Sequence, residues 1–206
     1  MAHAGAIRAQ FKQQKKLKLK VNKQVGKAYS EEEKSQLLNA AKAAPRSKGI
    51  YLVTMLAQNA GMRDKEIRTL QWTGFDLVKR IATVGQSKTD AGTGRTIPMN
   101  ADLCSVAVEY AKWYTGLFGA TQPEWYVFPA GRPRPKDPTK PQTSLKTAWR
   151  NARKKANVEG RFHDNRHTFV TDLAENGAGD EVIRDMAGHV FLKGHAQALL
   201  PYPNAA

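Results

Sequence analysis

The segment FHDNRHT, residues 162–168, places two histidines and an arginine within five positions. In a helix, His163 and Arg166 are three residues apart and share one face. A guanidinium presents a fixed fork of donors that suits a phosphate, and an imidazole donates a hydrogen bond or carries a proton near neutral pH. His167 adds a second imidazole. The pattern favours a phosphate-handling site, although the same spacing also arises by chance on solvated helix faces.

Three more residues are candidates for the same chemistry. Arg63 begins a predicted helix in AGMRDKEIRTLQW, where packing offers it no role, although an arginine at a helix end also extends into solvent. Lys88 lies between two predicted strands, either as a general acid or as an exposed turn residue. His189 follows Gly188 at a predicted helix end, where a histidine also interacts with the negative end of the helix dipole.

Taken together, the order and spacing of these residues resemble the tyrosine recombinases, the family of phage-type integrases. AGMRDKEIRTLQW is similar to the family's first box, with Arg63 as its arginine and Glu66 as the acidic neighbour that orients it. Lys88, followed by GRTIP, resembles the lysine of the family's β-hairpin. HDNRHT resembles the family's H-D-L-R-H-T, with Asn165 in place of the common leucine. AGH, ending at His189, resembles the last histidine before the nucleophile.

The resemblance implies a reaction and a role for each of these residues. Arg63 and Arg166 would clamp the scissile DNA phosphate and offset the charge that develops on its oxygens. His163 and His189 would donate hydrogen bonds to the same phosphate, and Lys88 would protonate the leaving 5′ oxygen. A tyrosine would attack to form a 3′-phosphotyrosyl bond. Because that bond stores the energy needed for rejoining, the resemblance implies neither a metal nor another cofactor.

The nucleophilic tyrosine of the family is not in register in this sequence. It normally lies about nine residues after the final histidine, roughly two and a half helical turns, and that position is Ala198 here. Tyr202 lies thirteen residues after His189, between Pro201 and Pro203, which forbid a regular helix. We therefore leave the nucleophile unassigned and treat Tyr202 as a weak candidate.

The tail has an alternative reading in the genetic code. Read one base downstream, compatible codons for HAQALLPYPNAA encode M-L-K-H-Y-S-H-I-R-M, which resembles the missing family tail. We hypothesise an insertion or deletion between about Val190 and Gly194, either in the gene or as a sequencing error. The tyrosine would then be encoded but not translated, and the chain as written would be inactive.

Composition independently favours a nucleic-acid partner. The 206 residues include 33 Lys+Arg against 18 Asp+Glu, a net charge of +15, and such a field attracts polyanions. The single cysteine, Cys104, excludes an internal disulfide and a cysteine-based zinc site, and we expect it in the core. No apolar run reaches the ~20 residues that span a bilayer, and the N-terminal MAHAGAIRAQFKQQKKLKLK lacks the apolar stretch that is typical of a signal peptide. We expect a cytoplasmic protein without a membrane partner.

The elements around the candidate residues predict an α+β fold, mainly helical, with one small antiparallel sheet. Ser30 and Glu33 form a capping box at the first helix, and Gly61 ends a nearly apolar second helix. Short strands are predicted in FDLV, IATVGQSK and GRTIPM. Four longer helices are predicted in ADLCSVAVEYAKWYTGLFG, SLKTAWRNARKKANV, RHTFVTDLAENG and DEVIRDMAG. The proline-rich segment GRPRPKDPTKPQ is predicted to be a loop.

Three regions follow from this pattern. Residues 1–27 form a basic arm or linker with eight Lys/Arg and no acid, 28–190 the recombinase catalytic domain, and 191–206 the aberrant tail. Family members carry a helical core-binding domain before the catalytic one, and only the basic arm precedes it here. The expected partners are double-stranded DNA and other recombinase protomers of a mobile element. Two alternatives stay open: a non-enzymatic DNA-binding remnant, and an unrelated basic nucleic-acid-binding protein.

Overall fold

A computed structural model describes residues 26–44, 48–87, 92–131 and 134–188. The helices are α1 Glu31–Lys42, α2 Lys48–Asn59, α3 Asp64–Arg68, α4 Ala101–Phe118, α5 Lys146–Ala156, α6 Asp164–Glu175 and α7 Asp180–Ala187, with a 3₁₀ turn at Trp72–Gly74. The strands are β1 Phe75–Asp76, β2 Ile81–Thr83, β3 Thr96–Pro98, β4 Pro129–Ala130 and β5 Asp137–Pro141. The predicted fold class, mainly helical with a small antiparallel sheet, is confirmed.

The second helix, α2, lies at the centre of the core. It packs against α1, α4, α5 and α6, and Leu52, Val53 and Leu56 are fully buried, which explains why its sequence is apolar on every face. After its last turn, Gly61 adopts a left-handed conformation with φ +58°. A Cβ at Gly61 would overlap the ring of Phe169 in α6, so glycine allows α6 to approach the end of α2.

The start of α1 ties the entering chain to α6. The predicted capping box is confirmed: Glu33 N donates to Ser30 Oγ at 3.2 Å, and Ser30 N donates to Glu33 Oε2 at 3.1 Å. Just before it, Tyr29 N donates to Thr168 Oγ1 at 2.9 Å, and the Tyr29 hydroxyl donates to Arg161 O at 3.0 Å. Residues 26–30 therefore lie along the helix that carries the HDNRHT motif.

The described part of the chain contains two small antiparallel sheets. The predicted antiparallel sheet has the order β1-β2-β3, with Ala82 paired to Phe75 on one side and to Ile97 on the other. The prediction of a loop for the proline-rich segment is wrong in part, because β5 pairs antiparallel with β4. Its prolines are tolerated because a proline carbonyl still accepts: Tyr126 N donates to Pro138 O at 2.9 Å.

Cys104 lies on α4 and is 9% exposed, so its predicted place in the core is confirmed. None of the helices in the described part of the chain is long and apolar enough to cross a membrane.

Helix α6, which carries most of the HDNRHT motif, starts at Asp164, two residues before Arg166, where the sequence pattern predicts its start. The Asp164 carboxylate accepts from Arg161 N at 2.7 Å and from Arg161 Nη2 at 2.8 Å, and this pair stabilises the first turn.

Candidate active site

Arg63 stands at the N-terminal end of α3, with Glu66 three residues later. Arg63 has extended backbone angles and precedes the first helical residue. Arg63 N donates to Glu66 Oε2 at 2.8 Å, and Arg63 Nη1 donates to Glu66 Oε1 at 2.7 Å. One carboxylate therefore caps the helix and orients the guanidinium at the same time. Glu66 is 2% exposed, so its partners are protein groups rather than bulk water.

Glu66 is also the acceptor for two groups of the β2–β3 hairpin. Ser87 Oγ donates to Glu66 Oε1 at 2.6 Å, and Arg95 donates from Nη1 to Oε1 at 3.0 Å and from Nη2 to Oε2 at 2.8 Å. Burial by itself raises the pKa of this carboxyl, but the hydrogen bonds from Arg95, from Arg63 N and from Ser87 outweigh it and lower the pKa from 4.5 to about 2. Glu66 is thus a permanent anion at neutral pH and a structural partner.

Arg95 is a site residue that the sequence analysis did not single out. It is 9% exposed, and it donates from Nε to Met186 O at 3.1 Å and from Nη1 to Gly92 O at 3.0 Å. The sequence contains a signal for this position. Arg95 lies two residues before Ile97 and four before Met99, so in an extended chain its side chain is on the same side as these two buried residues. An arginine on the inward face of a strand requires buried partners.

Arg166 lies in the first turn of α6, between the ends of α2 and α7. It is 3% exposed. Its Nη1 donates to Gly61 O at 2.6 Å, and its Nη2 donates to Ala187 O. Burial, followed by the charges of Arg63 and Arg95, lowers its pKa to about 9, with a smaller opposing effect from Glu66. The group therefore stays protonated at neutral pH in a low-dielectric position, where its charge acts strongly.

The last turn of α7 brings the three guanidiniums together. The carbonyl oxygens of residues 186, 187 and 188 accept, in that order, from Arg95, Arg166 and Arg63, the last from Nη2 at 3.3 Å. Free carbonyls at a helix C-terminus carry the negative end of its dipole, so they help to hold three like charges close together. The structure thus brings Arg63, Glu66 and Arg166 to one place.

His163 stands before the first residue of α6, on the exposed side of the same turn as Arg166. Its pKa is lowered from 6.5 to about 4, first by partial desolvation and then by His167, Arg166 and Arg63, against a smaller opposing effect of Asp164. The His163 and His167 rings meet edge to face, with centroids 5.0 Å apart. His163 is therefore a neutral imidazole at pH 7 that is exposed to the charges of both arginines.

Comparison with known families identifies the chain. The sequence model of the phage integrase family matches residues 27–193, most of the chain. This chain belongs to the phage integrase family. It is 28% identical over 142 residues to the integrase of Salmonella phage P22, covering 66% of this chain and 35% of that protein. It is 28% identical over 177 residues to tyrosine recombinase XerA of Pyrococcus furiosus, covering 84% of this chain and 57% of that protein.

Solved structures show the same fold. The crystal structure of XerA recombinase superposes with a TM-score of 0.65 at 24% identity, over 80% of this chain and 57% of that one. The Tn1549 transposon integrase in complex with transposon right end DNA superposes with a TM-score of 0.67 at 19% identity, over 84% of this chain and 61% of that one. This phage integrase chain has the tyrosine recombinase catalytic fold, and it spans between 35% and 57% of the length of the two curated relatives.

The departure of this chain from the family's H-D-L-R-H-T motif is compensated inside the core. Asn165 is fully buried, and Gln58 on α2 is 6% exposed. Gln58 Nε2 donates to Asn165 Oδ1 at 3.1 Å, and Asn165 Nδ2 donates to Phe162 O at 2.8 Å. A buried amide is stable only when it is hydrogen-bonded, so Gln58 accounts for a polar residue at this position.

Three predicted site residues, Lys88, His189 and Tyr202, lie outside the described residues. The residues that flank them are described. Ser87, next to Lys88, donates to Glu66, and Gly188, next to His189, accepts from Arg63. Within the described part of the chain, no group of three or more His, Cys, Asp or Glu side chains is placed to hold a metal ion.

Proposed function

We propose that this chain provides the catalytic domain of a tyrosine recombinase, which cleaves and rejoins double-stranded DNA through a 3′-phosphotyrosyl intermediate. One observation carries the proposal: Arg63 and Arg166, from sequence segments 103 residues apart (166 minus 63), donate to adjacent carbonyls at the end of α7. Arg166 binds only neutral carbonyls, and the one carboxylate that binds Arg63 is shared with Arg95, so the two guanidiniums retain positive charge for a phosphodiester.

The two arginines have different surroundings and complementary roles. The Arg63 side chain is 20% exposed and reaches the surface, whereas Arg166 is 3% exposed and lies behind it. The described hydrogen bonds of Arg166 engage two of the five donors that a guanidinium carries. We assign both groups to the non-bridging oxygens of the scissile phosphate, where they offset the negative charge that grows in the transition state.

We assign the hydrogen bonds to the phosphate and the proton transfer to the remaining family positions, His163, His189 and Lys88. His163, neutral at pH 7 because of its lowered pKa, donates an N–H hydrogen bond to the phosphate. His189 is assigned the same role. As the tyrosine oxygen attacks phosphorus, its hydroxyl proton passes to water, the bond to the 5′ oxygen breaks, and Lys88 supplies the proton to that leaving oxygen. Rejoining is the reverse step: the 5′ hydroxyl displaces the tyrosine and returns its proton to Lys88, and the tyrosine oxygen takes a proton back from water.

The nucleophile itself stays unassigned. Tyr202 is out of register by four positions relative to Ala198, and we propose that the chain as written forms no covalent intermediate. The frame-shifted tail M-L-K-H-Y-S-H-I-R supplies a tyrosine close to the family position, so it is the candidate source of the missing group.

Charge and structural likeness support double-stranded DNA as the partner. The net charge is +15, and two solved neighbours are complexes with DNA: the Tn1549 integrase with transposon right end DNA and the XerH recombinase with its palindromic difH substrate. We also propose that other recombinase protomers share the DNA with this chain, and that it acts in the cytoplasm as part of a mobile element.

A covalent trap tests the proposed activity. Nicked duplexes of randomised sequence are incubated with the chain, a core-binding domain is supplied, and adducts are resolved on a denaturing gel. With the shifted tail restored, we expect an adduct that disappears in Arg63→Ala and Arg166→Ala. Arg68→Ala is the matched control, because Arg68 lies on α3 but binds Asp64 Oδ2 at 2.8 Å and Gln142 O at 3.3 Å, away from Glu66. DNA binding without any adduct would favour the non-enzymatic remnant.

A further inference from the structure

We propose that Arg95 is a positioning residue that orients both phosphate-binding arginines, Arg63 and Arg166, through two separate partners. The inference rests on the proposed function, since it concerns how that phosphate site is held. Arg95 itself does not reach the substrate: its side chain is 5% exposed, and the described hydrogen bonds use Nε, Nη1 and Nη2. Because all three nitrogens of this guanidinium donate to protein groups, Arg95 affects the site through those groups and not by binding the substrate.

The first partner is Glu66. Arg95 binds both carboxylate oxygens as a fork, Nη1 to Oε1 at 3.0 Å and Nη2 to Oε2 at 2.8 Å. The same two oxygens accept from Arg63, through Nη1 at 2.7 Å and through the backbone N at 2.8 Å. A bidentate fork sets the plane of a carboxylate. Arg95 thereby determines where Glu66 presents its lone pairs, and these determine the orientation of the Arg63 guanidinium.

The second partner is the end of α7. Arg95 Nε donates to Met186 O at 3.1 Å, and the next two carbonyls along the chain accept from Arg166 and Arg63. Met186 and Ala187 are helical, so their carbonyls have a fixed rise and rotation, and Gly188 is joined directly to the end of that helix. A displacement of Met186 therefore moves the acceptors of both phosphate-binding arginines together.

Close packing strengthens this second connection. Gly188 has φ +57°, and a Cβ there would lie 2.9 Å from Gly92 Cα and 3.1 Å from Arg95 Cδ. The end of α7 is thus pressed against the Arg95 side chain and the hairpin backbone. Arg95 also holds that backbone, because its Nη1 donates to Gly92 O at 3.0 Å. The hairpin, the start of α3 and the end of α7 all meet at this one guanidinium.

The charges of Glu66, Arg63 and Arg95 give an electrostatic reason for the role of Arg95. Glu66 carries one negative charge, and a pair with Arg63 alone would neutralise the guanidinium that the phosphate needs. With Arg95 bound to the same carboxylate, the group of three has a net charge of +1, and Arg63 keeps its attraction for an anion. A lysine in place of Arg95 would keep this charge but lose the fork and most of the directed donors.

Arg95→Lys is therefore the informative variant, and Arg68→Lys is its control. Both exchange an arginine that has an acidic partner and a carbonyl partner, but only Arg95 touches Glu66 and α7. The signals of the Arg63 and Arg166 Nε–H groups are followed by ¹⁵N NMR in the full chain, first alone and then during a titration with inorganic phosphate. A thermal melt of each protein reports folding.

We expect phosphate to shift the Arg63 and Arg166 signals in the wild-type protein and in Arg68→Lys. In Arg95→Lys the two signals should move before any phosphate is added, and the dissociation constant for phosphate should rise about tenfold, the effect of losing roughly one charge-assisted hydrogen bond. A folded Arg95→Lys with unchanged signals and unchanged phosphate affinity would overturn the inference, even if its melting temperature fell.

The design separates this inference from the proposed function. If phosphate shifts neither arginine in the wild-type protein, the phosphate site itself is wrong, whereas movement of the Arg63 and Arg166 signals in phosphate-free Arg95→Lys would still establish positioning. If Arg95→Lys does not fold, Glu66→Gln/Arg95→Gln, which removes both buried charges, is compared with Glu66→Gln alone. Equal arginine signals and equal phosphate affinity in that pair would reject a role for Arg95.

Discussion

Arg63 and Arg166 donate to the carbonyl oxygens of consecutive residues, Gly188 and Ala187, at the C-terminal end of α7. The two arginines come from the start of α3 and from α6, and the pKa of Arg166 is lowered first by burial and then by the charge of Arg63. The negative end of the α7 dipole and the Glu66 carboxylate hold them together. The end of α7 therefore holds Arg63 and Arg166 next to each other, immediately before His189 in the sequence.

The Glu66 carboxyl should make the stability of the fold depend on acid pH. Its pKa falls from 4.5 to about 2 on folding, so its contribution is complete above pH 4.5 and is lost as the pH falls toward 2. The shift corresponds to about 3 kcal/mol of unfolding free energy. Urea unfolding of wild type and Glu66→Gln at pH 7 and pH 3 should show a smaller pH dependence in the variant. Glu109→Gln, an exposed glutamate on α4, should retain the wild-type dependence.

Gln58 and Asn165 should be energetically coupled. Asn165→Leu restores the family residue but leaves the buried Gln58 amide without its 3.1 Å partner, which should cost roughly 1–3 kcal/mol of unfolding free energy. Gln58→Leu should carry a cost of similar size. The double variant replaces both polar groups and should recover most of the loss. Urea unfolding of the four proteins measures the coupling, and strictly additive effects would contradict a direct bond between the two amides.

His163 should titrate near pH 4 in the free protein and at a higher pH when phosphate is bound. Its pKa is lowered by partial desolvation and by the positive charges of His167, Arg166 and Arg63. A bound phosphate dianion offsets those charges and favours the imidazolium, so the midpoint should rise. Proton–carbon NMR of the imidazole rings, with and without inorganic phosphate, measures the shift. A midpoint that phosphate does not change would place the anion away from the arginines.

Removal of the basic arm should flatten the salt dependence of DNA binding. A cut after residue 25 removes seven Lys/Arg and keeps Lys27, which pairs with Glu33. Each phosphate contact that is lost reduces the slope of log K against log salt by about 0.9. Fluorescence anisotropy of a duplex at several salt concentrations provides the measurement. A full-length variant with the same seven residues changed to Gln should match the truncated protein, whereas an unchanged slope in both would show that the arm does not contact DNA.

The chain as written should not form a phosphotyrosyl adduct, and Tyr202→Phe should behave like the wild type. Tyr202 is out of register and lies between two prolines. Restoring the tail M-L-K-H-Y-S-H-I-R should produce an adduct on nicked duplexes, and changing its new tyrosine to Phe should abolish it. An adduct from the unrepaired chain that disappears in Tyr202→Phe would instead identify Tyr202 as the nucleophile and refute the frameshift hypothesis.

The sequence by itself determined the family, the fold class and most of the elements. These depend on local rules: capping at Ser30, the apolar α2, the left-handed Gly61, and motif residues at set intervals. The strand β5 was missed because strand pairing depends on a distant partner, here β4, while its own composition is typical of a loop. The early start of α6 depends on the pair between Arg161 and Asp164, which its apolar periodicity does not report.

Only the tertiary structure decided how the site is held together. The contacts of Arg95 with Met186, of Arg166 with Ala187 and of Arg63 with Gly188 all end on main-chain carbonyls. Because every residue carries a carbonyl, no residue type marks these acceptors in the sequence. Arg63 and Arg166 were recognisable as candidates by type and spacing, whereas their shared acceptor helix depends on how α3, the β2–β3 hairpin and α6 pack around the end of α7.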